Sequence, residues 1–171
     1  KRPPSSCTIG RRSGGMTAVK AVEALARIGN GDAAKALEPF LLSNDPYMRT
    51  LALDGIAASG RGNMFERVLP LLEDPSHMVR RSAMAAAAST GGEKARPYIL
   101  AMVRSGTARD RAAALETAGS LGVRDDLMML SETLRLSASH LDREGAAAGL
   151  RAWPEKEHLL APLDGTGISA A

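Results

Sequence analysis

Asp74-Pro75-Ser76-His77-Met78-Val79-Arg80-Arg81-Ser82-Ala83-Met84-Ala85-Ala86-Ala87-Ala88-Ser89-Thr90-Gly91-Gly92 sets the register of the whole chain, because its pattern returns every 31 residues. One step back from Arg80 lies Arg49, and one step forward lies Arg111. The same step joins Gly29, Gly60, Gly91 and Gly122, and it joins Ala21, Ala52, Ala83, Ala114 and Gly145. Apolar columns run through Val22, Leu53, Met84, Leu115 and Ala146, through Leu37, Val68, Ile99 and Leu130, and through Leu41, Leu72, Val103 and Leu134. A period in this range marks a stacked array, in which each unit buries its apolar face only against its neighbours.

Within each period the spacing predicts two helices. In the first repeat, Val19, Val22, Leu25, Ala26 and Ile28 give the three-and-four spacing of one apolar face. That helix is expected from about Thr17 to Ile28, followed by a second, Ala33 to Leu42, capped by Asp32. The second repeat opens with Asn44-Asp45-Pro46, where aspartate can cap free amides and proline at the first helical position loses no hydrogen bond. Its first helix ends at Gly60 and its partner runs from Met64 to about Leu72. The third repeat continues with Lys94 to Arg104, and the fourth with Ala108 to Leu121 and Asp125 to Leu134. The fifth, Ser139 to Trp153, departs from the pattern. Asp142 falls in the arginine column with Arg143 beside it, and Gly145 and Gly149 should weaken the helix by about 1 kcal/mol each. A short closing helix is expected over Glu155 to Leu163, then a frayed tail over 164–171. Pro39 and Pro70 share a column inside second helices, which predicts a kink or a shortened helix there.

Composition fits this reading: 44% of the 171 residues are hydrophobic, 24% are charged, and only Phe40, Tyr47, Phe65, Tyr98 and Trp153 are aromatic. Alanine favours close-packed helices over sheets. The net charge of +3 is misleading. Residues 1–15 hold Lys1, Arg2, Arg11 and Arg12 and no acid, which leaves the rest at about −1. This stretch reads as a flexible basic leader or linker, and the repeat body, 16–163, lacks the clustered charge that phosphate binding needs. With Cys7 alone, no intramolecular disulfide and no cysteine metal site can form. There is no apolar run of membrane-spanning length and no signal peptide, so a cytoplasmic setting is expected. The start at Lys1, without Met, suggests a piece of a longer protein.

Two helices per repeat, opened by Asp-Pro-x-x-x-Val-Arg-x-x-Ala and closed by Gly, resemble HEAT-like repeats, and most closely the short class named PBS-lyase HEAT-like repeats. Asp74, Pro75, Val79, Arg80, Ala83 and Gly91 carry the resemblance, followed by Asp45, Pro46, Met48, Arg49, Ala52 and Gly60, and by Arg111, Ala114 and Gly122. The resemblance implies an all-α, right-handed α-solenoid of about five repeats. It also implies a structural ladder in which Arg49, Arg80 and Arg111 bond to an aspartate (Asp45 and Asp74 among them) or a carbonyl of a neighbouring repeat.

Chemistry finds no foothold in the residue pattern. His77, His140 and His158 share no column, and the His-Glu dipeptides that mark the HEAT-like deoxyhypusine hydroxylases are absent. Cys7 lies in the leader with no base beside it. Catalytic, cofactor and metal roles are therefore assigned to no residue. The family places its second helices on a concave face, where Arg61, Glu66, Arg67, Lys94, Arg96, Arg124, Glu132 and Arg135 are candidate surface charges and Phe65 and Tyr98 candidate anchors. Mixed signs suit a protein partner. The expectation is a non-catalytic bacterial interaction scaffold, with a phycobilin-lyase-like ligand role and nucleic-acid binding as rivals.

Overall fold

The computed structural model describes residues 10–60 and 62–154. Residues 1–9 with Cys7, Arg61, and everything after Pro154, including the expected closing helix, His158 and the tail, lie outside the described residues. Among the described residues all regular structure is helical. Five first helices, α1 (Gly10–Ile28), α3 (Pro46–Ser59), α5 (His77–Gly91), α7 (Ala108–Leu121) and α9 (His140–Ala152), alternate with shorter second helices. These are α2 (Gly31–Leu37), α4 (Phe65–Val68), α6 (Arg96–Ser105) and α8 (Arg124–Leu136). First helices pack on one another from repeat to repeat, α1 on α3, α3 on α5, α5 on α7 and α7 on α9, and each second helix packs on the first helix of the next repeat. The result is an α-solenoid.

Two of the three apolar columns form its core throughout; in the third Leu41 and Leu72 are buried, Val103 is half-buried and Leu134 is 37% exposed. Val22, Leu53 and Met84 are fully buried, as are Leu37, Val68, Ile99 and Leu130, at about 2 kcal/mol of transfer free energy for each such side chain. One cluster runs from Val22 to Ala118, and a smaller one under α9 joins Leu115, Leu130, Ala146 and Trp153.

Several boundaries move. Helix α1 reaches back to Gly10, across residues assigned from the sequence to the leader, and Thr17 does not begin it. Asn30, not Asp32, caps α2: its side chain accepts from the Ala33 amide at 2.8 Å. Pro39 and Pro70 mark shortened helices, since α2 and α4 pass into the 3-10 turns Glu38–Leu42 and Leu69–Glu73. Where no proline falls in that column, α6 and α8 run on as regular helices. In the glycine column, Gly29, Gly60 and Gly122 turn the chain with positive φ, but in the third repeat Gly92 does so. Gly91 stays within α5, and glycine is needed there because a Cβ would strike the Phe65 ring.

The two glycines of α9 correct the sequence reading most. A Cβ on Gly149 would lie 2.5 Å from the Leu115 carbonyl oxygen, and one on Gly119 of α7 would overlap the Gly149 backbone. Gly145 likewise sits against Ala112. These glycines cost helix propensity, but they let α7 and α9 approach backbone to backbone.

Candidate functional site

The most organised polar feature is a ladder of arginines along the first-helix layer. Each begins near the start of a first helix, in the turn after the capping loop, where the guanidinium can reach backward and across. Arg49 donates Nη1 to the Ser43 carbonyl at 2.6 Å, while Nε and Nη2 form a fork on Asp74 at 2.8 and 2.9 Å. Arg80 donates Nη1 to the Asp74 carbonyl at 2.7 Å and places its fork on Asp110 at 3.0 and 2.9 Å. Arg111 reaches the Gly106 carbonyl at 3.3 Å and Asp142 at 3.1 Å through Nη2. Two parallel charge-assisted bonds suit the planar guanidinium, which cannot lose its charge.

The acceptors are only partly those read from the sequence. Asp74 is a rung acceptor and also takes the Ser76 amide at 2.8 Å. Asp45 is not a rung. It caps α3 by accepting the Tyr47 amide at 2.9 Å, and one period before Arg49 stands Ala18, which has no guanidinium to offer. Asp110 and Asp142 were missed, although each immediately precedes an arginine, and the acceptor spacing of 30 or 31 residues was visible. In the fifth repeat the column slips by one residue. Asp142 supplies the acceptor, and Arg143 takes the arginine's place by donating Nη1 to the Ser137 carbonyl at 2.6 Å.

Burial pushes the Asp74 carboxyl upward, but the Arg49 bonds, the Ser76 amide and the charges of Arg49 and Arg80 outweigh it and hold it below the ordinary range. Burial acts the same way on Asp110 and is likewise overcome, by bonds from Arg80 and Thr107.

The candidate partner-binding residues divide. Phe65 is buried, with its ring 6.1 Å from that of Tyr98 in an edge-on contact, so it belongs to the core. Arg96 is not a free surface cation: it forms a second-layer rung on the buried Asp126, with Nη2 at 2.7 Å from the carboxylate. That bond outweighs burial and raises the guanidinium above its ordinary value. Asp126 is thus a partner for Arg96 and more than a charge on the first turn of α8. Arg67 is exposed and meets Glu38 at 3.2 Å. Lys94, Arg124 and Arg135 are exposed and have no carboxylate partner among the described residues, and Tyr98 is 44% exposed. Exposed Met128 and Leu136 lie on the same second-helix layer.

Two adjoining grooves, of about 430 and 350 Å³, cross the opposite, first-helix layer between α5, α7 and α9. They share Arg81, Ala113 and Glu116, with Arg81 paired to Glu116 at 3.3 Å. Among the described residues no His, Cys, Asp and Glu group could hold a metal ion, and no helix is long and apolar enough to cross a membrane.

Stacked helix pairs joined by arginine–aspartate rungs define the molecule as a helical-repeat solenoid. Residues 43–119, a stretch holding the Arg49 and Arg80 rungs, match the family model of HEAT repeats, so this part of the chain is a HEAT-like repeat array. No curated protein matches the sequence. HEAT repeats are commonly protein-interaction scaffolds.

Proposed function

We propose that the chain is a non-catalytic interaction module that binds a protein partner on the layer carried by its second helices, the face read from the sequence as concave. The observation that supports this most is the coincidence there of exposed apolar side chains with cations that meet no carboxylate among the described residues. Arg124 and Arg135 stand on α8 with Met128 and Leu136, and Lys94 lies in the 3-10 turn Gly92–Ala95 that leads into α6 and Tyr98. Tyrosine, methionine and arginine are the residues that protein interfaces concentrate, and exposed apolar patches of this kind mark binding surfaces. The Tyr98 ring is already held by Phe65, so little ordering entropy is lost when a partner covers it.

The test is affinity capture followed by mass spectrometry, with the intact chain beside Tyr98→Ala and a Lys94→Glu/Arg124→Glu/Arg135→Glu chain. Arg96 is left untouched, because a glutamate there would face the buried Asp126 and unfold the junction. A partner retained by the native chain and lost by both variants supports this face. Equal capture by all three moves binding elsewhere, and co-purification of nucleic acid or a pigment in place of protein overturns the scaffold reading.

A further inference from the structure

We propose that Arg143 is an open carboxylate-binding position, through which the array docks a protein helix that carries an acidic residue in its first turn or capping loop. The proposal rests on the reading of the chain as a protein-binding module and names one place and one chemistry for it.

Four arginines repeat one geometry. Arg49, Arg80, Arg111 and Arg143 each donate Nη1 to a carbonyl five or six residues earlier. In the first three, Nε and Nη2 are thereby aimed at a carboxylate of the next repeat, Asp74, Asp110 or Asp142. Arg143 is anchored by the same bond, at 2.6 Å from the Ser137 oxygen, yet among the described residues no carboxylate meets its fork. A half-exposed guanidinium already fixed by one bond loses little rotamer freedom on accepting a carboxylate, and its two remaining donors select for the planar, bidentate anion.

The ligand's form follows from the filled rungs. Asp110 and Asp142 sit in the first turns of α7 and α9, and Asp74 sits in the loop just before α5. The occupant therefore presents its carboxylate from the start of a helix. A charge beside the anchor does not prevent such docking. Arg81 follows Arg80 as Glu144 follows Arg143, yet α7 seats on α5 and Asp110 fills the Arg80 fork, with Arg81 turned to Glu116 at 3.3 Å. The occupant can therefore be a helix seated at side-chain distance, without the backbone-to-backbone approach that α7 and α9 make at Gly119, Gly145 and Gly149. Leu136, next to Ser137, and Leu141, two residues before Arg143, are 73% and 39% exposed and offer it apolar contact.

The test is NMR of arginine Nε–H groups in the full chain, with the Arg143 peak assigned by its disappearance in Arg143→Gln. The probe is a synthetic peptide of this chain's own Ser137–Ala152, which carries Asp142 as a filled rung does, with an Asp142→Asn peptide as control. The expected result is a saturable shift of the Arg143 peak by the acidic peptide. Affinity should be about tenfold or more weaker for the Asn peptide, and similarly weaker for Arg143→Lys, which keeps the charge without the fork. Trp153 emission shows that each variant keeps α9 docked. Equal shifts by both peptides, or none, overturn the proposal. Peptide binding that leaves Arg143 unmoved overturns it too, while the wider protein-binding reading survives. A peak that moves with protein concentration alone assigns the fork to a second copy. One that moves in a Glu155→Gln/Glu157→Gln/Asp164→Asn chain assigns it to the chain's own later segment. Either result overturns the partner helix.

Discussion

Along the first-helix layer, Arg49, Arg80 and Arg111 are bound on every donor face, to a carbonyl of their own loop and to a carboxylate of the next repeat. Along the second-helix layer, Lys94, Arg124 and Arg135 meet no carboxylate among the described residues, and Tyr98 and Met128 stand partly in solvent. The first layer also holds the closest backbone approaches, at Gly119, Gly145 and Gly149. The first layer carries most of the paired charge between repeats, and the second carries most of the exposed cations. Arg96 shows that the boundary is set by partners and not by sequence position: it starts a second helix, yet Asp126 recruits it to the joining set.

Substitutions in the two layers should separate accordingly. The largest effect is expected from Gly119→Ala. Alanine would gain about 1 kcal/mol of helix propensity, but its methyl would overlap the Gly149 backbone, and overpacking of this kind costs up to about 3 kcal/mol. Chemical denaturation should therefore show a net loss; a stabilised variant would mean that α7 and α9 are not in backbone contact.

Arg80→Ala comes next. It strands Asp110, whose side chain is 5% exposed, and about 2 kcal/mol should be lost, as for a buried charged group deprived of its partner. Arg111→Ala should cost about 1 kcal/mol or less, because that rung is longer and its arginine is 31% exposed. A cost for Arg111 equal to that for Arg80 would show that exposure does not grade the ladder.

Acidification tests the same rungs without mutation. Asp74 and Asp110 are held below their ordinary range, so the unfolded chain takes up their protons first. The stability these bonds give is complete above about pH 4 and is lost as the pH falls further, through the folded-state values. Urea midpoints measured from pH 6 downward should fall in this window, and Arg80→Ala should flatten the fall. The smallest effect belongs to Arg67→Ala. Its contact with Glu38 is largely solvent-exposed, so the denaturation midpoint should barely move.

How much of this could be read from residues alone depended on what each feature answers to. The columns through Leu53 and Leu37 answer to burial, which recurs at each of their junctions, so that part of the core was legible, whereas the column through Leu41 loses its burial at Leu134. Asp45-Pro46 was legible because a cap is local chemistry. The rung acceptors were harder: the carboxylate can come from the loop, as at Asp74, or from the first turn, as at Asp110 and Asp142, and a fixed column cannot follow that shift. The one-residue slip that puts Arg143 in Arg111's role hid the fourth anchor for the same reason. Gly145 and Gly149 looked like weak points because propensity is written on one helix, while their purpose lies on the neighbouring one. Phe65 and Tyr98 looked equivalent as anchors, and only packing shows that one ring supports the other.

The buried Trp153 closes the α9 cluster, with Pro154 set over Gly122, and it is the chain's single tryptophan. Its emission therefore reports the last junction and not the array as a whole. In a protein whose units couple mainly to their neighbours, fluorescence should melt ahead of the helical signal whenever α9 frays first. Placing a second tryptophan in α3 would give the other end its own voice, and the gap between the two curves would measure how far cooperativity travels along the stack.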